Sequence, residues 1–230
     1  MKQIISSVTV LFLAALISSA PVNTSVAGET GPLYIGVVGG YAFGSDLEYK
    51  YSYFPSYDLD IQNTWTLGAK IGYTMPFARA IAVEFEYLYF GPDVDRTVLA
   101  SEGDDFYALE GDLDVHNFMF NFIAKYPEGR FHPFLGIGLG VSDVDFSGKE
   151  IEGWDGITDT YSMSYDDTAF AWQIFAGVNC EINRNFSVDL AYRFFMTDTD
   201  DDYEDYYYYY YGTELEIESS IVTVGLNYHF

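Results

Sequence analysis

Eight stretches of alternating bulky and small side chains, joined by connections that are alternately short and long, predict an all-β fold. The architecture expected is an eight-stranded antiparallel up-and-down transmembrane β-barrel with short periplasmic turns and four long extracellular loops. Composition agrees: 22 Tyr, 19 Phe and 21 Gly in 230 residues favour strands and tight turns over helices. Beyond the N-terminus no run approaches the 18 or so consecutive apolar residues of a helical span, so any membrane crossing is by strands.

The N-terminus reads as a targeting segment. Lys2 supplies a positive start, Ile4 to Ile17 is largely apolar and uncharged, and Ser25-Val26-Ala27 is a small-x-small cleavage site. Residues 1–27 are therefore expected to be a signal peptide, and 28–230 the outer-membrane barrel domain of an exported Gram-negative protein. No cysteine lies near the cleavage site, which argues against a lipid anchor. Cys180 stands alone, so there is no intrachain disulfide.

The strands follow in order. The first, 33–43, sets Leu33, Ile35, Val37, Tyr41 and Phe43 against Tyr34, Gly36, Val38, Gly40 and Ala42. The second, 63–75, sets Trp65, Leu67, Ala69, Ile71 and Tyr73 against Thr66, Gly68, Lys70 and Gly72. In the third, 79–90, Ile81, Val83, Phe85, Tyr87 and Tyr89 oppose Ala82, Glu84, Glu86 and Leu88. In the fourth, 115–126, Phe118, Phe120 and Phe122 oppose Asn117, Met119, Asn121 and Lys125. The fifth, 131–141, alternates Leu135, Ile137 and Leu139 with Gly136, Gly138 and Gly140. The sixth, 168–182, sets Phe170, Trp172, Ile174 and Val178 against Ala171, Gln173, Phe175 and Glu181. The seventh, 186–197, sets Val188, Leu190, Tyr192 and Phe194 against Asp189, Ala191, Arg193 and Phe195. The eighth ends the chain, with Val222, Val224, Leu226, Tyr228 and Phe230 on one face. Short connections fall at 76–78, 127–130 and 183–185, and long ones near 44–62, 91–114, 142–167 and 198–220.

Alternation does not say which face is wet, since a soluble barrel would bury the apolar face inside. Three features place it outside. The opposite face is crowded with Gly and Ala, a poor solvated surface but a good lining for a narrow lumen. Its charges are sparse and mixed in sign, as a set that pairs internally would be. The bulky face is aromatic near both strand ends: Tyr41, Phe43, Trp65, Tyr89 and Trp172 on one side, Tyr73, Tyr126, Phe186, Tyr228 and Phe230 on the other. Two aromatic girdles around an aliphatic band suit a bilayer and its interfaces. The lipid of the outer membrane is thus an expected partner.

Strand position brings Lys70 level with Glu84 on the neighbouring strand, and Glu86 level with Arg193 across the barrel. These four residues are expected to form a lumenal ion-pair cluster; the alternative is four independent charges in a water-filled bore. An eight-stranded lumen is normally filled by side chains. The Gly-rich fifth strand nonetheless leaves a narrow, porin-like ion or solute path open as the main alternative function.

The formal charge of −25 excludes nucleic acid as a partner, which needs a basic footprint. The four long connections hold 29 of the 35 acids and only Lys50, Arg96 and Lys149 as bases, so the outer rim is strongly negative. The simplest reading is a solvated, repulsive surface. The sharper one is divalent-cation binding by the densest run, with Asp200, Asp201, Asp202, Glu204 and Asp205 as candidate ligands, although no EF-hand pattern is present. No other cofactor is indicated. The tract Tyr206, Tyr207, Tyr208, Tyr209, Tyr210 and Tyr211 follows. It reads either as an extension of the last hairpin or as a surface for glycan or protein contact, because Tyr offers a flat apolar face and a hydroxyl.

The C-terminal segment Val222-Thr223-Val224-Gly225-Leu226-Asn227-Tyr228-His229-Phe230 resembles the terminal signature of outer-membrane barrels. The segment His132-Pro133-Phe134-Leu135-Gly136-Ile137-Gly138-Leu139-Gly140 resembles the fifth strand of the small-barrel superfamily of outer membrane proteins A, X and W and the opacity-type surface antigens. Ala191-Tyr192-Arg193 fits that family's seventh strand. The resemblance covers nearly the whole chain after residue 27. It implies that Phe230 and Tyr228 are the signal read by the barrel assembly machinery, and that the protein is a monomer. It fixes architecture more than function, since the fold hosts adhesins, structural proteins and enzymes.

The lipid hydrolases and acyltransferases built on small barrels need a His with a Ser or acidic partner at the outer rim. Only His116 lies on that side, and Phe118, not Ser, stands two residues on. The sequence therefore points to a non-enzymatic barrel whose acidic, Tyr-rich loops serve envelope structure or surface interaction with an extracellular partner. No catalytic residue is assigned, and a lipid-modifying enzyme is the third reading.

Overall fold

In the computed structural model, which describes residues 31–51, 57–60, 62–102, 105–154, 157–203 and 211–230, the alternating segments close on themselves. The strands in chain order are β1 (Leu33–Tyr51), β2 (Tyr57–Asp60), β3 (Thr64–Thr74), β4 (Ile81–Phe90), β5 (Asp93–Glu102), β6 (Asp105–Lys125), β7 (Phe131–Trp154), β8 (Ile157–Glu181), β9 (Phe186–Tyr203) and β10 (Tyr211–His229). Hydrogen-bonded neighbours run β10-β9-β8-β7-β6-β4-β3-β1, and β10 pairs back onto β1, so eight strands form a closed ring. All these pairings are antiparallel. The short β2 rides on the outer part of β1, and β5 on the outer part of β6.

Closure leaves no sheet edge in the hydrocarbon, where an unpaired backbone group is costly. The seam is continuous from Tyr34↔His229 to Tyr51↔Thr213, with one shift between Phe43 and Asp46. At the end of the chain the Phe230 amide donates to the Leu33 carbonyl at 3.0 Å. The turns on that side have identifiable chemistry. Gly129 adopts φ 84°, a left-handed conformation that disfavours other residues, in the β6–β7 turn. The Asn183 side chain accepts from the amides of Asn185 (2.9 Å) and Phe186 (3.0 Å), forming the β8–β9 turn.

The bulky faces point outward. Ile35, Val37, Leu67, Phe120, Phe122, Leu135, Ile137, Leu139, Ile174, Leu190, Val224 and Leu226 are exposed, whereas Val38, Leu88, Met119, Phe175, Phe195 and Ile221 are buried inside the ring. A water-soluble fold would not leave such a belt uncovered. Aromatic contacts flank it at both ends. Tyr41 packs edge-on against Trp65 (5.1 Å), and Trp172 meets Phe194 at a tilt (5.7 Å), on the outer side. Phe186, Tyr228 and Phe230 form a chain of edge-on rings on the turn side, with centroids 5.3 and 5.1 Å apart.

One difference from the sequence reading is substantial. The segments expected as long loops are largely strand. β6, β7 and β8 contain 21, 24 and 25 residues, about twice what a tilted crossing needs. The reason is that period-two alternation continues under the acids. Leu109, Leu113, Val144 and Phe146 are buried, while Asp112, Asp114, Asp143 and Asp145 between them are exposed. The extracellular half of the molecule is thus a projecting β-ribbon rather than irregular chain.

Because Ile137 faces out in the middle of the crossing part of β7, Ile137→Arg is expected to destabilise the barrel by about 2–4 kcal/mol. Urea unfolding in lipid vesicles, read against the wild type, measures this; an unchanged midpoint would place this face away from lipid.

Candidate functional site: the crossed lumen

Alternate residues of the eight ring strands project into the bore, so each strand's small-and-polar face becomes part of one lining. Arg193 on β9 and Glu86 on β4 lie on strands diametrically opposite in the ring, and they meet. Arg193 Nη2 donates to Glu86 Oε2 at 2.8 Å, and Nη1 donates to Oε1, a bidentate pair across the bore. Both residues are buried, 2% and 0% exposed. Gln173 on β8 donates to Glu86 Oε1 (3.3 Å) and to Asn121 (2.9 Å), and Arg193 Nε donates to Thr223 (3.2 Å). The guanidinium also stacks over the Phe175 ring, 5.1 Å from its centroid. Such a planar, forked donor suits a carboxylate in a dry site better than an ammonium would.

A second group lies one step nearer the turns. Lys70 Nζ is 3.0 Å from Asp189 Oδ2 and 3.6 Å from Glu84 Oε2. Glu84 also accepts from the Tyr34 hydroxyl (2.8 Å) and Asn121 (3.3 Å). Asn227 donates to Asp189 Oδ2 at 2.6 Å. Glu84 and Glu86 each receive several donors, which is what a buried charge requires, whereas Asp189 is bonded through Oδ2 alone and its buried Oδ1 has no hydrogen-bond partner among the described residues.

The four residues picked out in sequence, Lys70, Glu84, Glu86 and Arg193, all line the lumen, Lys70 beside Glu84 and Arg193 bonded to Glu86 across the bore. Sequence reasoning left Asp189, Tyr34, Gln173 and Asn227 out of the cluster. Asp189 carried a signal, a lone acid on the lumenal face two steps below Arg193; the others carried none beyond facing inward. Two glycines make the close approaches possible. A Cβ on Gly36 would meet Asn227 Oδ1 at 2.3 Å and Lys70 Cε at 3.2 Å, and one on Gly138 would meet Asn121 Oδ1 at 2.2 Å. The Gly-rich β7 face thus makes room for neighbouring side chains rather than for a path.

Above the ion pairs the bore is mainly apolar, with Thr66, Asn117, Ser142 and Thr197 buried along its wall and hydrogen-bonded there. Val38, Leu88, Phe90, Val115, Met119, Ala171, Phe195 and Ile221 pack into one buried cluster. Within it Phe90 on β4 and Phe195 on β9 touch edge-on, with centroids 5.7 Å apart, again between opposite strands. Two contacts, one ionic and one aromatic, therefore span the full bore. Below them remains a cavity of about 50 Å³ bounded by Tyr34, Lys70, Ile123, Asp189, Asn227 and His229. That is space for a water or two, not for a solute. At the turn-side mouth Ser187 Oγ lies 2.9 Å from His229 Nε2 and accepts from Asn179 at 3.0 Å, and His132 Nε2 lies 3.1 Å from Glu181.

The remaining candidates lie elsewhere. His116 is not lumenal: its Nδ1 is 2.8 Å from the Tyr87 hydroxyl, and its ring lies against Tyr87 and Tyr89. Tyr228 and Phe230 face outward in the turn-side girdle. The side chains of Asp200, Asp201, Asp202, Glu204 and Asp205, and of Tyr206 to Tyr211, lie outside the described residues. Among the described residues no group of three or more His, Cys, Asp or Glu side chains is placed to hold a metal ion.

A closed antiparallel barrel with a greasy outer wall, two aromatic belts and an internally paired polar lumen defines an integral outer-membrane β-barrel. The chain belongs to the outer membrane protein beta-barrel domain family, whose model matches residues 11–230, and its place is the outer membrane. It is similar in structure to the outer membrane protein OprG from Pseudomonas aeruginosa: TM-score 0.56, 15% identity, covering 90% of this chain and 99% of that one. It is also similar to the Neisserial surface protein A, with TM-score 0.48 and 12% identity, covering 86% and 97%. At these identities the likeness concerns the fold alone. No curated protein sequence matches the chain.

Truncating Arg193 to Ala would strand the Glu86 carboxylate inside the bore. The expected cost is about 3–5 kcal/mol, read as a lowered urea midpoint in vesicles. A midpoint within experimental error of the wild type would mean that the pair is not buried as described.

Proposed function

We propose that this barrel is a non-conducting, non-enzymatic scaffold that holds an acidic β-ribbon outside the cell for surface interaction. The observation that carries this reading is the continuation of β6, β7 and β8 far beyond the length a membrane crossing needs. The ribbon exposes Asp112, Asp114, Asp143, Asp145, Glu152, Asp159 and Asp166. A rigid, hydrogen-bonded support for a charged face is what recognition favours over free chain, because less ordering is needed on binding. The sign of the charge selects basic partners and disfavours nucleic acid.

The porin-like alternative is weakened by the two contacts that cross the bore. Purified protein in planar bilayers is expected to give no discrete conductance steps; reproducible steps would restore the channel reading. The protein is taken to act as a monomer, with Tyr228 and Phe230 as the segment presented to the assembly machinery and lipid as its immediate surroundings. Divalent-cation binding at Asp200 to Asp205 stays a subsidiary proposal, tested by calcium titration calorimetry at millimolar metal: saturable heat supports it and none removes it.

The surface role has a direct test. Vesicles carrying the protein are expected to bind fluorescent polylysine in low salt and release it near about 1 M salt, where charges are screened. Replacing residues 147–164 by an Asn-Gly turn, which rejoins the paired Phe146 and Tyr165, should remove most of that binding while leaving the barrel folded. Binding unchanged by this shortening would contradict the proposal.

A further inference from the structure

β8 has two very different halves. It pairs with β7 along its whole length, from Trp154↔Ile157 to Phe131↔Cys180. With β9 it pairs only from Phe170↔Asp198 to Glu181↔Ser187. Beyond Asp198, β9 continues against β10. The sheet therefore splits at the outer rim; the Thr168 amide is taken up by the Asp167 carboxylate at 2.7 Å, and residues 157–166 have a strand on one side and, among the described residues, none on the other. Alternate amide and carbonyl groups along this length point away from β7, and no described backbone group outside the sheet bonds to them. Both faces are open as well, with Ile157, Thr158, Asp159, Thr160, Tyr161, Ser162, Ser164 and Asp166 exposed.

An edge like this is usually blunted by Lys, Pro or a bulge. Residues 157–166 contain no Lys and no Pro, and their Thr, Tyr and Ile favour extended chain. The register with β7 is unbroken. The one feature that guards the edge is charge. Asp166 stands directly opposite Asp145, and Asp159 directly opposite Glu152, so two cross-strand pairs set like charges together. Such pairs are unfavourable in isolation. They become favourable when a cation lies between or beside them. They also repel a second copy of this chain, whose net charge is −25.

We propose that the outer edge of β8 over residues 157–166 is a docking site for an extended, Lys- or Arg-bearing peptide segment. The segment adds to the sheet as one further strand beside β8. Its backbone satisfies the outward amides and carbonyls, and its basic side chains lie by the Asp145–Asp166 and Glu152–Asp159 pairs. Recognition of this kind takes its affinity from main-chain hydrogen bonds and its selectivity from side-chain complementarity. The proposal rests on the surface-interaction reading above and specifies the partner's conformation as well as its charge.

The test uses the full-length protein in lipid nanodiscs and an eight-residue alternating Lys-Val peptide, with binding followed by fluorescence anisotropy. The comparison peptide has the same sequence with N-methyl groups on alternate amides along one edge, in both phases, so that one phase removes the hydrogen bonds of the docking edge. Saturable binding of the parent peptide, weakened tenfold or more by methylation in one phase, is the expected result. Tyr161→Pro and Ser162→Pro supply a second reading, because adjacent residues direct their amides to opposite edges. One of the two is expected to abolish binding while the barrel still shows heat-modifiable gel migration. Equal binding of parent and both methylated peptides would overturn strand addition and leave charge attraction standing. Binding of neither would remove both this inference and the reading beneath it. Self-association of the nanodisc-free protein that competes with the peptide would make a second copy the occupant and overturn the proposal.

Discussion

The Arg193–Glu86 pair crosses the bore between strands on opposite sides of the ring, and the rest of the interior is arranged around it. A bidentate pair in a site screened from water is favourable only when its remaining polar atoms are also satisfied. Gln173 and Thr223 supply those bonds, Asn121 holds Gln173 in place, and the Phe175 ring covers one face of the guanidinium. Lys70, Glu84 and Asp189 repeat the arrangement below, while the Phe90–Phe195 contact seals the bore above. An ionic layer therefore sits between an apolar plug and a small turn-side cavity.

The outer wall answers to a different constraint. In hydrocarbon the backbone must find all its partners within the protein, and a ring of strands does this only if the last pairs with the first. The β1–β10 seam and the bond from the Phe230 amide to Leu33 complete that ring. Beyond the membrane the constraint relaxes. There the sheet opens between β8 and β9, and strand length becomes available for recognition rather than for crossing.

The crossing strands were legible in the sequence because one physical rule governs them: lipid on one face and a narrow lumen on the other impose period two. The outward placing of Leu135, Ile137 and Phe120 followed from that rule. The extent of the strands was not legible. Acids at Asp112, Asp114, Asp143 and Asp145 look like loop composition, although Leu113, Val144 and Phe146 between them keep the same period. In the lumen, counting residues from the turns brought Arg193 to the level of Glu86, because β4 and β9 both start at the turn-side end of the ring. Asp189 was harder to place, because Lys70 reaches it past two intervening strands, β1 and β10, through space left by Gly36, a path no spacing reveals.

A double-mutant cycle in lipid vesicles on Glu86→Leu and Arg193→Met tests the spanning pair most directly. If the pair crosses the bore in a dry layer, the double variant loses less stability than the two single losses summed, by about 2–3 kcal/mol. Single losses that add to within about 0.5 kcal/mol would mean that the two side chains do not meet, and the crossed lumen would fall with them.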